Sequence, residues 1–156
     1  MIPVGLFLAD TSAIARVAQP QVHAELTRLG RLGLLATCVT VDLEVGYSAR
    51  DPAAYAATAR RRTTGFTDLP LLPEIGVRAR AVQAMLARLS QHRAAGIVDL
   101  LTAAIAEHYQ GVVLHYDSDF EHIAVVSGQQ RRGWRHAGPQ AECRREPCCG
   151  HERRGT

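Results

Sequence analysis

Residues 112–123 read Val112-Val113-Leu114-His115-Tyr116-Asp117-Ser118-Asp119-Phe120-Glu121-His122-Ile123. An apolar run of strand length ends in two carboxylates spaced two apart, and helical spacing begins straight after them. In an open parallel sheet, ligands bind beyond the carboxyl ends of the strands, so acids placed there face a site rather than the core. Either carboxylate can equally cap the following helix, a common role for Asp. The rest of the chain decides between these readings.

The same grammar occurs near the N-terminus. Residues 6–9 form a short apolar strand that stops at Asp10, and Thr11 and Ser12 precede a helical stretch at 13–18, with Ser12 the expected N-cap. Pro20 suits the first turn of a second helix, with Val22, Leu26 and Leu29 on one face and Gly30 and Gly33 closing it. Residues 34–39 read as another strand. Thr40 is expected to cap a helix reaching about Ala49, in which Glu44 is an isolated acid with Asp42 as its local rival. Residues 53–64 are Ala-rich and helical, ending in Arg60, Arg61 and Arg62, a run that commonly marks a solvated helix end. Leu69, Leu71 and Leu72, flanked by Pro70 and Pro73, suggest a short edge segment.

From Glu74 to about His92, the positions Ile75, Ala79, Val82, Leu86 and Leu89 keep helical spacing. In the next helix, ended by Gly111, the expected core face is Ile97, Leu100, Leu101, Ala104 and Ile105. Asp99 lies in its first turn, with Thr102, Ala103 and Ala106 toward the other side. Strands at 6–9, 34–39 and 112–116 with helices between them predict an α/β fold with parallel crossovers. A further short strand near Trp134 is compatible with this pattern.

Composition narrows the chemistry. All 18 basic residues are Arg. Without Lys the chain lacks a residue central to P-loop nucleotide binding, and phosphoreceiver-like or haloacid-dehalogenase-like chemistry, with Asp10 as nucleophile, is disfavoured for the same reason. Residues 131–156 hold seven Arg and three Glu, whereas residues 1–130 hold eleven Arg and twelve acids, so the basic excess belongs to the tail. Of the four Cys, Cys38 sits in an apolar run, while Cys143, Cys148 and Cys149 crowd the tail at spacings unlike those of zinc sites. The chain shows no apolar stretch of membrane-spanning length and no signal-peptide pattern, and a cytoplasmic protein is expected.

Four places thus set acids beside apolar elements: Asp10, Glu44, Asp99 and the pair Asp117/Asp119. If they converge, their mutual repulsion calls for a cation. A carboxylate set without His or Cys suits Mg²⁺ or Mn²⁺, ions that promote in-line attack on phosphodiesters.

The order Leu8-Ala9-Asp10-Thr11-Ser12, Glu44 before Ser48-Ala49-Arg50, Asp99-Leu100-Leu101-Thr102-Ala103-Ala104, and Asp117-Ser118-Asp119-Phe120 resembles the PIN-domain family, in particular its VapC-type toxin ribonucleases. The resemblance extends over about residues 5–136 and implies a PIN-like α/β/α sandwich with a central, mostly parallel sheet flanked by helices. Residues 1–136 would form that domain, and residues 137–156 a disordered basic, Cys-containing tail. It also implies that Asp10, Glu44, Asp99 and Asp117 are metal ligands, with Asp119 auxiliary and Ser12 orienting ligand or phosphate. Arg16, Arg60, Arg61 and Arg62, with Arg131, Arg132 and Arg135, are candidates for phosphate contacts. The implied partners are a VapB-type antitoxin, an RNA substrate (tRNA or rRNA) and a second copy of the chain. The family commonly has Thr where His115 stands, and the Cys-rich tail lies outside its usual pattern. The alternative is a PIN-like module that binds RNA or protein without cutting.

Overall fold

The structure, a computed structural model, describes residues 5–133. Strands β1 (Phe7–Ala9), β2 (Leu35–Cys38), β3 (Thr67–Leu69), β4 (Val112–His115) and β5 (Arg131–Gly133) form one sheet in the order β3-β2-β1-β4-β5, with every pairing parallel. The helices are α1 (Thr11–Ile14), α2 (Pro20–Arg31), α3 (Val39–Tyr47), α4 (Pro52–Gly65), α5 (Pro73–Arg88), α6 (Ile97–His108) and α7 (Asp119–Ser127).

Side chains alternate between the two faces of a strand, and both faces here are covered. Leu6, Leu8, Ala36, Cys38 and Val113 pack with Ile75, Val82, Leu86, Leu100, Ile105, Phe120 and Ile123, so α5, α6 and α7 cover one face. The intervening positions Ala9, Leu35 and Leu114 pack with Val22, Leu26 and Leu29 of α2 on the other. The result is the expected α/β/α sandwich.

The edge strands match the sequence reading only in part. β3 ends at Leu69, where Pro70 begins, so the edge segment lies earlier than Leu69, Leu71 and Leu72 suggest. β5 has no buried residue and is held by backbone pairing of Val113, Leu114 and His115 with Arg131, Arg132 and Gly133. Trp134, Arg135 and the expected tail at 137–156 lie outside the described residues.

Five local expectations are corrected. Asp10 rather than Ser12 caps α1, because its carboxylate reaches the Ser12 N–H (2.8 Å), and α1 ends at Ile14 rather than Ala18. Cys38 rather than Thr40 occupies the N-cap of α3; the Thr40 hydroxyl is spent inside the fold, 2.7 Å from that of Thr102. On α6, Thr102, Ala103 and Ala106 are buried while Ile97 is 74% exposed, because α3, α5, α7 and β4 surround the helix beyond its first turn. Leu89 likewise leaves the core, standing at the end of α5 with 54% exposure.

Leu8 sits fully buried on the central strand, where a truncated side chain would leave a void that the sheet cannot close. Leu8→Ala should destabilise the protein by about 2–5 kcal/mol, the usual range for removing a buried leucine. Urea unfolding checks it, and a loss below about 1 kcal/mol would contradict this packing.

Candidate active site at the carboxyl edge of the sheet

The parallel register of β1 and β4 carries the first two acids to the same edge. Ala9 lies level with Leu114, and the Asp10 N–H donates to the Leu114 carbonyl at 3.0 Å. Asp10 is therefore the first residue beyond β1, and Asp117 lies just beyond β4. Ser12 ties the two strand ends together: its hydroxyl donates to Asp10 Oδ2 (2.5 Å) and accepts the Tyr116 N–H (2.9 Å). Asp10 is 3% exposed, so these donors replace most of its water.

Asp99 arrives from the first turn of α6 and Asp119 from the first residue of α7. One backbone N–H serves both, as Gly96 donates to Asp99 Oδ2 at 3.1 Å and to Asp119 Oδ2 at 3.2 Å. Gly96 has an ordinary negative φ, but a Cβ on it would fall 2.7 Å from Asp99 Oδ2. Space, rather than backbone strain, makes glycine the fitting residue there. Asp117 accepts the Asp119 N–H at 3.1 Å, which answers the capping alternative: Asp117 makes a short local turn, and Ser118 holds the N-cap position without a side-chain bond.

Glu44 connects to this group only through Thr11, whose hydroxyl donates to it at 2.7 Å, and its charge is not among those acting on Asp99. Its rival Asp42 is otherwise engaged, by Thr37 (2.8 Å) and by Arg62 (2.9 Å).

Burial pushes the Asp99 carboxyl up to about 7, helped by the negative charges of Asp10, Asp119 and Asp117 and by a hydrogen bond with Asp119. Four of the acids named from sequence are thus electrical neighbours. Among the described residues no three His, Cys, Asp or Glu side chains are already drawn into a metal-holding group, and no Arg pairs with Asp10, Asp99, Asp117 or Asp119.

The cationic candidates separate. Arg16 reaches the site's rim, donating to the Ser12 carbonyl (2.8 Å) and lying 4.7 Å over the Tyr116 ring. Arg62 is committed to Asp42, whereas Arg60 and Arg61 are exposed on α4. Arg131 pairs with Glu121, and Arg132 with Glu25 at 2.7 Å. Sequence reading overlooked Gly96, Thr11 and Tyr116. Thr11 and Tyr116 lie inside the quoted stretches, whereas the role of Gly96 depends on acids from two helices that only the fold brings together.

Parallel strands, helices on both faces and acids gathered at the carboxyl edge define the class of protein to which the chain is compared. The PIN domain family model matches residues 7–126. Two curated relatives from Mycobacterium tuberculosis, named Ribonuclease VapC21 and Ribonuclease VapC51, are each 40% identical, over 79% of this chain and 89% and 88% of their own lengths. Among solved structures, VapBC2 from Rickettsia felis bound to a promoter DNA fragment superposes with a TM-score of 0.70 at 12% identity, covering 83% of this chain and 98% of that one. The chain belongs to the PIN-domain family, in its VapC-type branch.

The raised Asp99 carboxyl gives a signed expectation. Between an unfolded value of 3.8 and a folded value of about 7 the folded protein binds the extra proton, so this contribution to stability is present below that window and is lost as pH rises through it. Without divalent metal, the melting temperature of the native protein relative to Asp99→Asn should fall as pH rises from 3.8 to about 7. Paired thermal melts check this, and a difference that stays constant or rises would refute it.

Proposed function

We propose that the chain is a divalent-metal-dependent endoribonuclease and the toxin half of a VapBC-type pair. The observation that carries the reading is the convergence of Asp10, Asp99, Asp117 and Asp119 at one sheet edge, where a single N–H serves two of them and their charges help push the Asp99 carboxyl up to about 7. The donor set fits Mg²⁺ or Mn²⁺, since it is made of hard carboxylate oxygens and Cys38, the described cysteine, is buried in the core instead. Asp10, Asp99 and Asp117 would hold the ion with Glu44, and Asp119 would support Asp99 or share in ligation. Bound there, such an ion supplies Lewis acidity toward a phosphodiester and offsets charge growing on the leaving oxygen.

The protein's own residues then have distinct tasks. Ser12 holds the buried Asp10 carboxylate in one orientation, and the Gly96 N–H keeps Asp99 and Asp119 side by side. Arg16, fixed over Tyr116, is the best-placed cation for an RNA phosphate. Arg60 and Arg61 offer exposed charge for the flanking backbone, and Arg62 can join them only by releasing Asp42. Such contacts position RNA without choosing its sequence.

The VapC names of the relatives support the ribonuclease reading, and a VapB-type antitoxin is the corresponding partner. The antitoxin would cover the acidic edge, for which an Arg side chain has the matching charge. We assign the active form as a homodimer. No helix among the described residues is long and apolar enough to cross a membrane.

Asp10→Asn and Asp99→Asn should each lower RNA cleavage by about a hundredfold or more, the scale for losing one group that stabilises transition-state charge. Cleavage should also stop with EDTA and return with Mn²⁺. Gel assays on variants shown to be folded by circular dichroism decide it. Undiminished cleavage in both variants would defeat the reading, and Mn²⁺ binding without cleavage of any RNA would favour a non-cleaving binding module.

A further inference from the structure

His115 is 2% exposed, and its ring is held from three sides. Its Nδ1 lies 2.6 Å from the Asp117 carbonyl oxygen. A carbonyl can only accept, so Nδ1 carries the hydrogen and donates. The ring also rests against Phe120 of α7, with centroids 5.0 Å apart. Nε2 has no hydrogen-bond partner; it is 3.6 Å from Glu121 Oε1 and would lie 3.6 Å from a Cβ at Gly133 of β5. The imidazole therefore fills the corner between β4, β5 and α7, and spends its single donor on the turn that carries Asp117.

Elsewhere the turn is held by the Tyr116 N–H on Ser12 Oγ (2.9 Å) and the Glu121 N–H on the Ser118 carbonyl (2.9 Å), so the His115 bond acts on the Asp117 carbonyl in particular. Ser118 makes no side-chain cap bond, and the Asp117 carboxylate is held by the Asp119 N–H alone among the described side-chain bonds. Fixing the Asp117 carbonyl fixes the peptide plane from which its carboxylate projects.

We propose that His115 is a positioning residue for the acidic site, its Nδ1–H clamping the 115–119 turn so that the Asp117 carboxylate is presented in one orientation to a divalent cation. The inference rests on the metal-dependent reading above. It gives His115 a task that needs neither contact with RNA nor proton transfer, and it explains why a bulky ring with one unpaired nitrogen is accepted in a buried corner. Supporting residues of this kind commonly set metal affinity.

Three substitutions separate the donor from the ring. His115→Phe keeps a ring against Phe120 but has no donor. His115→Asn puts an amide N–H near the place of Nδ1, whereas His115→Gln puts it near that of Nε2. Isothermal titration with Mn²⁺ should show the dissociation constant rising about tenfold or more in the H115F and H115Q variants, but staying within about threefold of the native value in H115N. At saturating Mn²⁺, KM for RNA should stay unchanged in all three. If H115F does not fold, H115Q carries the comparison. Native Mn²⁺ affinity in the folded donor-deleted variants, or an H115N as weak as H115Q, would overturn the clamp while the ribonuclease reading stands. Failure of the native protein to bind Mn²⁺ at all would instead remove that reading, and the clamp with it.

Discussion

Asp10, Asp99, Asp117 and Asp119 carry like charge and are brought to one edge of the sheet, and the surrounding structure is arranged around that repulsion. Each acid is held by a neutral donor: Asp10 by Ser12, Asp99 and Asp119 by the Gly96 N–H, Asp117 by the Asp119 N–H. Arginines are kept on other acids, with Arg62 on Asp42, Arg78 on Glu107, Arg28 and Arg132 on Glu25, and Arg131 on Glu121. Neutral donors orient a carboxylate without cancelling its charge. A scaffold shaped by stability alone would place one of these guanidiniums among the four acids, since an unpaired charge cluster is costly to bury.

The sheet makes that arrangement possible because its strands are short and parallel. Alternate residues of β1 and β4 fill two separate cores, so neither strand has a free face on which an acid could be accommodated. Polar function is displaced to the residues just past the strand ends, and the Ala9-to-Leu114 register sets Asp10 beside the turn that carries Asp117. His115, the last residue of β4, is buried like the strand residues before it but directs its donor to that turn.

These relations explain what could be read in the sequence. β1, β2 and β4 are apolar runs fully or largely buried, and an acid follows β1 directly and β4 after one residue, so these strands and the acid motifs were legible. β5 was legible only as a short strand somewhere near Trp134, because Arg131-Arg132-Gly133 has no buried side chain to mark its bounds and pairs with β4 through the backbone. Periodicity misjudged α6 because it assumes one buried stripe, whereas three helices and a strand enclose most of its length. Caps shifted at Ser12 and Thr40 because several hydroxyls and acids compete for one helix start, and tertiary partners such as Thr102 decide which is taken. The shared Gly96 N–H could not be read at all: it joins residues 23 apart in the chain.

Helix geometry relieves the acidic cluster only in part. Asp99 sits in the first turn of α6 and Asp119 begins α7, so both face the positive end of a helix dipole. Such placement is worth about 0.3–1 kcal/mol per charge at exposed sites. Yet burial, three neighbouring charges and a hydrogen bond with Asp119 still push the Asp99 carboxyl up to about 7. Orientation is therefore supplied by the protein, while most of the neutralising charge is left to whatever cation enters. This division makes the site responsive: a carboxylate already satisfied by a fixed Arg would bind an ion weakly, whereas one held in place by neutral donors stays open to it.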